Sequence, residues 1–160
     1  MVALTMLALL ITGCAGPPDC GDSLAKAERA AEQRQPLASW VDAVDAECRA
    51  RAESRWAATL SEDCDPLYGF HAGYWEIEPA AGCADPAFVE ARNLGELLGE
   101  IEREQAGIEA RLAAGELSEG ERGRLRQRLI VIERDRPQIE ALARIQGYLP
   151  PADVPEAPGD

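Results

Sequence analysis

Leu112-Ala113-Ala114-Gly115-Glu116-Leu117-Ser118-Glu119-Gly120-Glu121 decides the fold, because it joins two long segments that share one periodicity. Gly115-Glu116-Leu117 stops the segment before it, and Ser118 followed three residues later by Glu121 is a capping box that opens the next helix. Upstream, Leu94, Ile101 and Ile108 recur every seven residues, with Phe88, Leu97, Leu98 and Leu112 marking the same buried edge. Downstream, Leu125, Ile132 and Ile139 repeat the spacing, with Leu129, Leu142 and Ile145 alongside. Seven-residue spacing of branched apolar residues is that of a coiled coil. Two helices joined by so few residues lie antiparallel. Residues 85–149 therefore read as a helical hairpin, entered through Asp85 as N-cap and Pro86 at the first helical position, where its missing N–H costs nothing. Charge agrees with the pairing: Phe88 to Ala114 carries six glutamates against three arginines, and Ser118 to Leu149 seven arginines against five acids. Two features weaken the expected arm. Gly95, Gly99, Gly107 and Gly123 each cost about 1 kcal/mol relative to alanine, and Pro137 should kink the return helix or divide it in two.

Ahead of the hairpin, residues 23–84 read as a small helical head. Asp22 or Ser23 can cap a helix running through Leu24, Ala27, Ala30 and Ala31 to about Arg34, where Pro36 intervenes. A second helix is expected from about Ser39, since Trp40, Val44, Cys48, Ala52, Trp56 and Leu60 recur every fourth residue. Its two tryptophans could form a ligand platform, but with few other large apolar side chains nearby they are needed as core. From Ser61 to Cys83, Gly, Pro and aromatic residues cluster. Gly69 and Gly73 either allow close backbone approach on one helical turn or supply positive φ in an irregular loop.

Four cysteines, Cys20, Cys48, Cys64 and Cys83, are spread over this head. Zinc would ordinarily show a close C-x-x-C pair, which the sequence lacks, so disulfides in an oxidising compartment are the expectation. Three pairings are possible. The sequential one, Cys20 with Cys48 and Cys64 with Cys83, closes short loops worth about 3 kcal/mol each in a chain-entropy estimate.

The fifth cysteine has another setting. Met1 to Gly13 is an uncharged apolar run that ends Leu10-Ile11-Thr12-Gly13-Cys14, similar to a bacterial lipobox. It is too short to span a bilayer, which takes about 20 residues. Residues 1–13 are expected to be a lipoprotein signal peptide and Cys14 the lipidated residue of a tether over 14–22. Attachment would be to a membrane through acyl chains, without crossing it. Ala15 after the cysteine favours the outer membrane. Residues 150–160, rich in proline and acid, read as a disordered tail.

Composition bounds the function. With 29 acidic and 16 basic residues the net charge is −13, a poor surface for nucleic acid. His71, the single histidine, has no partner nearby in sequence for catalysis or metal binding. The chain contains no G-x-S-x-G, no phosphate-cradling glycine loop and no H-E-x-x-H. No catalytic residue, metal ligand, cofactor or small-molecule substrate is therefore assigned.

The order Cys48, Cys64, Gly69-Phe70-x-x-Gly73, Cys83, followed by Phe88 and a helical hairpin, resembles an uncharacterised family of bacterial lipoproteins, domain of unknown function 2799. The resemblance runs from about Cys20 to the end of the hairpin. It implies an envelope lipoprotein and brings no enzymatic activity. The expectation is thus a mainly α protein, a disulfide-stapled helical head followed by an antiparallel hairpin. Its expected role is structural or adaptor, with a protein partner on the hairpin. The alternatives are an acidic inhibitor or binding module for a cationic protein and, further off, a peptidoglycan-directed enzyme.

Overall fold

Helix follows helix along residues 19–79 and 82–152, which the computed structural model describes; Cys14, the expected signal peptide over 1–13 and residues 153–160 of the expected tail lie outside them. The α-helices are α1 (Gly21–Glu32), α2 (Arg49–Ser61), α3 (Pro66–Tyr74), α4 (Pro86–Ala114) and α5 (Glu119–Ile145). Two 3-10 turns, Leu37–Ser39 and Val41–Ala43, separate α1 from α2. The mainly helical architecture with two disulfides is the one expected, and among the described residues there is no strand.

The hairpin closes where its turn residues require. Gly115 takes the left-handed conformation (φ 78°) that ends α4. Ser118 Oγ accepts from the Glu121 amide at 3.3 Å, while the Glu121 carboxylate accepts from the Ser118 amide at 3.1 Å. Ile108 and Ile132 are buried in the seam, and Leu94, Ile101, Leu125 and Ile139 are half-buried. The acidic and basic arms meet through Glu104, which takes two bonds from Arg128 (2.8 and 2.6 Å), and through Glu102 with Arg136 at 3.0 Å. Three apolar residues expected in the seam are not there: Leu97, Leu142 and Ile145 are 44, 46 and 81% exposed. Nor does Pro137 divide the return helix, since α5 is one element. Pro137 and Glu133 both face solvent, so water can satisfy the Glu133 carbonyl that the proline leaves without a donor. Glu140 also brackets this turn, pairing with Arg136 at 2.7 Å and Arg144 at 2.9 Å.

The first half of α4 is buried by α3, and small residues make that contact. Asp65 caps α3, accepting from the Leu67 amide at 2.9 Å, and Pro66 occupies its first turn. Gly69 and Gly73 lie on one helical turn, which decides between their two readings in favour of close approach. A Cβ on Gly73 would stand 2.0 Å from the Arg92 carbonyl oxygen. From the other side, a Cβ on Gly95 would stand 2.0 Å from the Phe70 carbonyl oxygen, and one on Gly99 would be 2.4 Å from that of Tyr74. Gly95 and Gly99 are therefore contact residues and not flaws of the arm; Gly107 and Gly123 have open space around them. Phe88, Ala91 and Leu98 are buried in the same contact region.

In the head, α1 and α2 run parallel. Cys20 and Cys48 are bonded at their starts, Glu28 and Arg55 pair at 3.5 Å midway, and the Trp56 indole donates to the Gln35 carbonyl at 3.2 Å. The single helix expected from Ser39 does not form. Val44 is extended (φ −105°, ψ 140°), and the bond to Cys20 fixes the beginning of α2 beside that of α1. The chain must first run back along α1. All six stripe residues from Trp40 to Leu60 are nevertheless buried, Trp56 completely. The cap of α1 is also displaced: Asp19 accepts from the Gly21 amide at 3.1 Å, while Ser23 is buried inside the helix. The second disulfide joins Cys64, just before α3, to Cys83, just before α4.

Candidate functional site

Between α2, α3 and the end of α5 lies a groove of about 290 Å³. α3 supplies its floor, because Asp65-Pro66 opens a nine-residue helix whose glycines meet α4 and whose Leu67, Phe70, His71 and Tyr74 line the groove. The first two turns of α2 supply Arg49 and Glu53, and Leu37 and Val41 close one side. The remaining wall comes from beyond α5. Gly147 (φ 79°) ends that helix, the Tyr148 amide donates to the Ala143 carbonyl at 2.8 Å, and the chain turns so that Tyr148 stacks on Phe70. Their ring centroids are 5.3 Å apart at 22°. That pattern of bonds is the glycine-based stop of a helix, with an apolar residue following the glycine.

The groove's electrostatics follow from its burial. His71 lies edge-on to Trp56, centroids 5.0 Å apart at 77°, and burial lowers its pKa from 6.5 to about 4. At neutral pH it is an uncharged imidazole. Tyr74 donates its hydroxyl to the Glu102 carboxylate. Burial first, and that carboxylate second, push its pKa up to about 12. Arg103 ties down the end of α3, donating to the Tyr74 carbonyl at 2.9 Å and pairing with Glu76 at 2.6 Å. Trp75, 58% exposed, stands at 84° to Tyr74 with centroids 5.0 Å apart. Arg49 and Glu53 are a turn apart without forming an ion pair with each other; Arg49 reaches Asp42 at 3.7 Å. Its Nε is buried and has no hydrogen-bond partner among the described residues.

Chemically this is a place to bind, since aromatic and aliphatic side chains dominate it and two opposite charges sit at one rim. Among the described residues no serine, threonine or cysteine lines it, and no group of three His, Cys, Asp or Glu side chains is placed to hold a metal. The motif residues divide between two tasks. Gly69 and Gly73 make the contact with α4, while Phe70 is buried and also reaches the groove. Cys20, Cys48, Cys64 and Cys83 form the two disulfides; Cys14 lies outside the described residues. The tryptophan stripe is core, with Trp40 and Trp56 both enclosed. Sequence reasoning missed Arg49, Glu53, Tyr148 and Leu149 as groove residues. Gly147-Tyr148-Leu149 did carry a signal, an apolar pair after a helix-stopping glycine. Comparison with protein-family models, curated proteins and solved structures found no match, so the reading of this site rests on its own chemistry.

Proposed function

We propose that this chain is a bacterial envelope lipoprotein, anchored through Cys14 and facing an oxidising compartment, that serves as a binding or adaptor module and not as an enzyme. The observation that carries the proposal is the cysteine arrangement. Four of the five cysteines are joined in two disulfides within one helical body, and the fifth stands in the lipobox-like Leu10-Ile11-Thr12-Gly13-Cys14. Structural disulfides belong to oxidising compartments, and anchoring by acyl chains needs no spanning helix. Among the described residues no helix is long and apolar enough to cross a membrane; attachment under this reading is through the acyl chains on Cys14. Two surfaces suit recognition: the aromatic groove, and the hairpin, on which Ile130 is 60% exposed. We propose the hairpin as the seat of a protein partner.

The test is the mass of protein isolated from its own envelope. A mature chain beginning at an acylated Cys14, with no free thiol, supports the reading. Cys14→Ser should abolish incorporation of labelled fatty acid and release the protein from the membrane fraction. An unmodified Cys14, or free thiols at the other four positions, overturns it.

A further inference from the structure

We propose that the groove between α2, α3 and the Tyr148 turn is a site for a small zwitterion carrying a quaternary ammonium and an anionic group, of the phosphocholine type. The argument goes beyond the lipid anchor and does not depend on it.

Two observations support this chemistry. The first is the aromatic corner: Tyr74 and Trp75 stand at 84° with centroids 5.0 Å apart, and His71 lies 6.3 Å from Trp75 at 62°. Rings set at large angles present several faces to one volume, and ring faces attract cations that have no protons to donate. The Tyr74 hydroxyl is already committed to Glu102, so the ring is what it offers. The second is the charge at the rim. Glu53 and Arg49 line the same groove from successive turns of α2. Side chains four apart have Cβ atoms about 5–6 Å from each other, a separation matching a cation and an anion joined by a short linker. Arg49 is held only by a long contact to Asp42, 3.7 Å, which leaves guanidinium donors for an anionic group, and a plain anion would meet Glu53. Burial keeps His71 neutral, so it adds no competing positive charge.

The experiment uses the full mature chain with both disulfides formed, held in a non-zwitterionic detergent, with tryptophan fluorescence and calorimetry as readouts. The probes are phosphocholine, tetramethylammonium, inorganic phosphate and decanoate. The proposal expects saturable binding of phosphocholine, weaker binding of tetramethylammonium, and none of phosphate alone. Glu53→Gln should weaken phosphocholine and tetramethylammonium at least tenfold. Arg49→Gln should weaken phosphocholine at least tenfold and leave tetramethylammonium unchanged. Both side chains are partly exposed, and retained circular dichroism will establish that the variants fold. Trp75→Ala, at an exposed position, should weaken both ligands without loss of structure. Phosphatidylcholine vesicles separate the sources: capture by them assigns a lipid headgroup, and binding of free phosphocholine alone assigns a soluble ligand. No phosphocholine binding, binding indifferent to Glu53→Gln and Arg49→Gln, or preference for decanoate would each overturn the proposal.

Discussion

A methyl group at Gly73 or Gly95 would stand 2.0 Å from a backbone oxygen of the facing helix, and backbone cannot swing aside as a flexible side chain can. Gly73→Ala and Gly95→Ala should each destabilise by at least about 2–3 kcal/mol, the upper range for overpacking. Gly107→Ala meets nothing and should stabilise by about 0.5–1 kcal/mol through helix propensity. Urea melts of the three variants measure the contrast, and equal effects would remove the close α3–α4 contact from the account. His71 offers a second test. Its folded pKa of about 4 lies below the unfolded 6.5, so between those values the unfolded chain binds more protons. Stability should therefore fall as pH drops from about 6.5 to 4, then level off as far as this group is concerned, by at most about 3 kcal/mol. Subtracting the profile of His71→Gln isolates that slope from those of the carboxylates. The four helix glycines show what one sequence can and cannot disclose at this scale. Propensity treats all four alike, and only the facing helix distinguishes Gly95 and Gly99 from Gly107 and Gly123.

Two elements begin with the same dipeptide, and only one of the two is legible as a helix start in the sequence. Asp85-Pro86 opens α4, and Asp65-Pro66 opens α3 with the same carboxylate-to-amide bond at 2.9 Å. The second sits among glycines and aromatics that dilute any helical period, and nine residues are too few to show one. Asp65 is the more consequential, being only 6% exposed and also paired with Arg34 at 2.8 Å. Asp65→Asn keeps the cap and loses the charge pair, whereas Asp65→Ala loses both. The alanine variant should cost about 1 kcal/mol or more beyond the asparagine variant, measured by denaturation. Ser118→Ala should cost about 1 kcal/mol for its cap alone. By contrast, the Glu104–Arg128 pair is half-exposed, and a double-mutant cycle should return less than about 1 kcal/mol. The turn at Gly115 and Ser118 was legible because its signals are local. The break at Val44 was not, because it depends on where a distant disulfide holds Cys48.

Over the whole molecule, the cores of head and hairpin meet around α3 and Tyr148, which packs against both. Helical class and hairpin could be read from composition and spacing, whereas four cysteines left three pairings open, of which the sequential one favoured by its short loops is the one formed. The groove could not, because α2, α3 and the residues after α5 build it from three separated stretches of chain. Each disulfide closes a loop of moderate length, 28 and 19 residues in separation. Replacing either pair by serine should cost about 3–4 kcal/mol in the chain-entropy estimate, read as a lowered urea midpoint. The Cys20–Cys48 bond has a mechanical corollary. A load arriving from the Cys14 side passes at Cys20 straight into the first residue before α2, so the segment between them is bypassed and carries no tension. Stretched from its two ends, the oxidised protein should give up less contour than its length implies, and reductant should restore the missing slack.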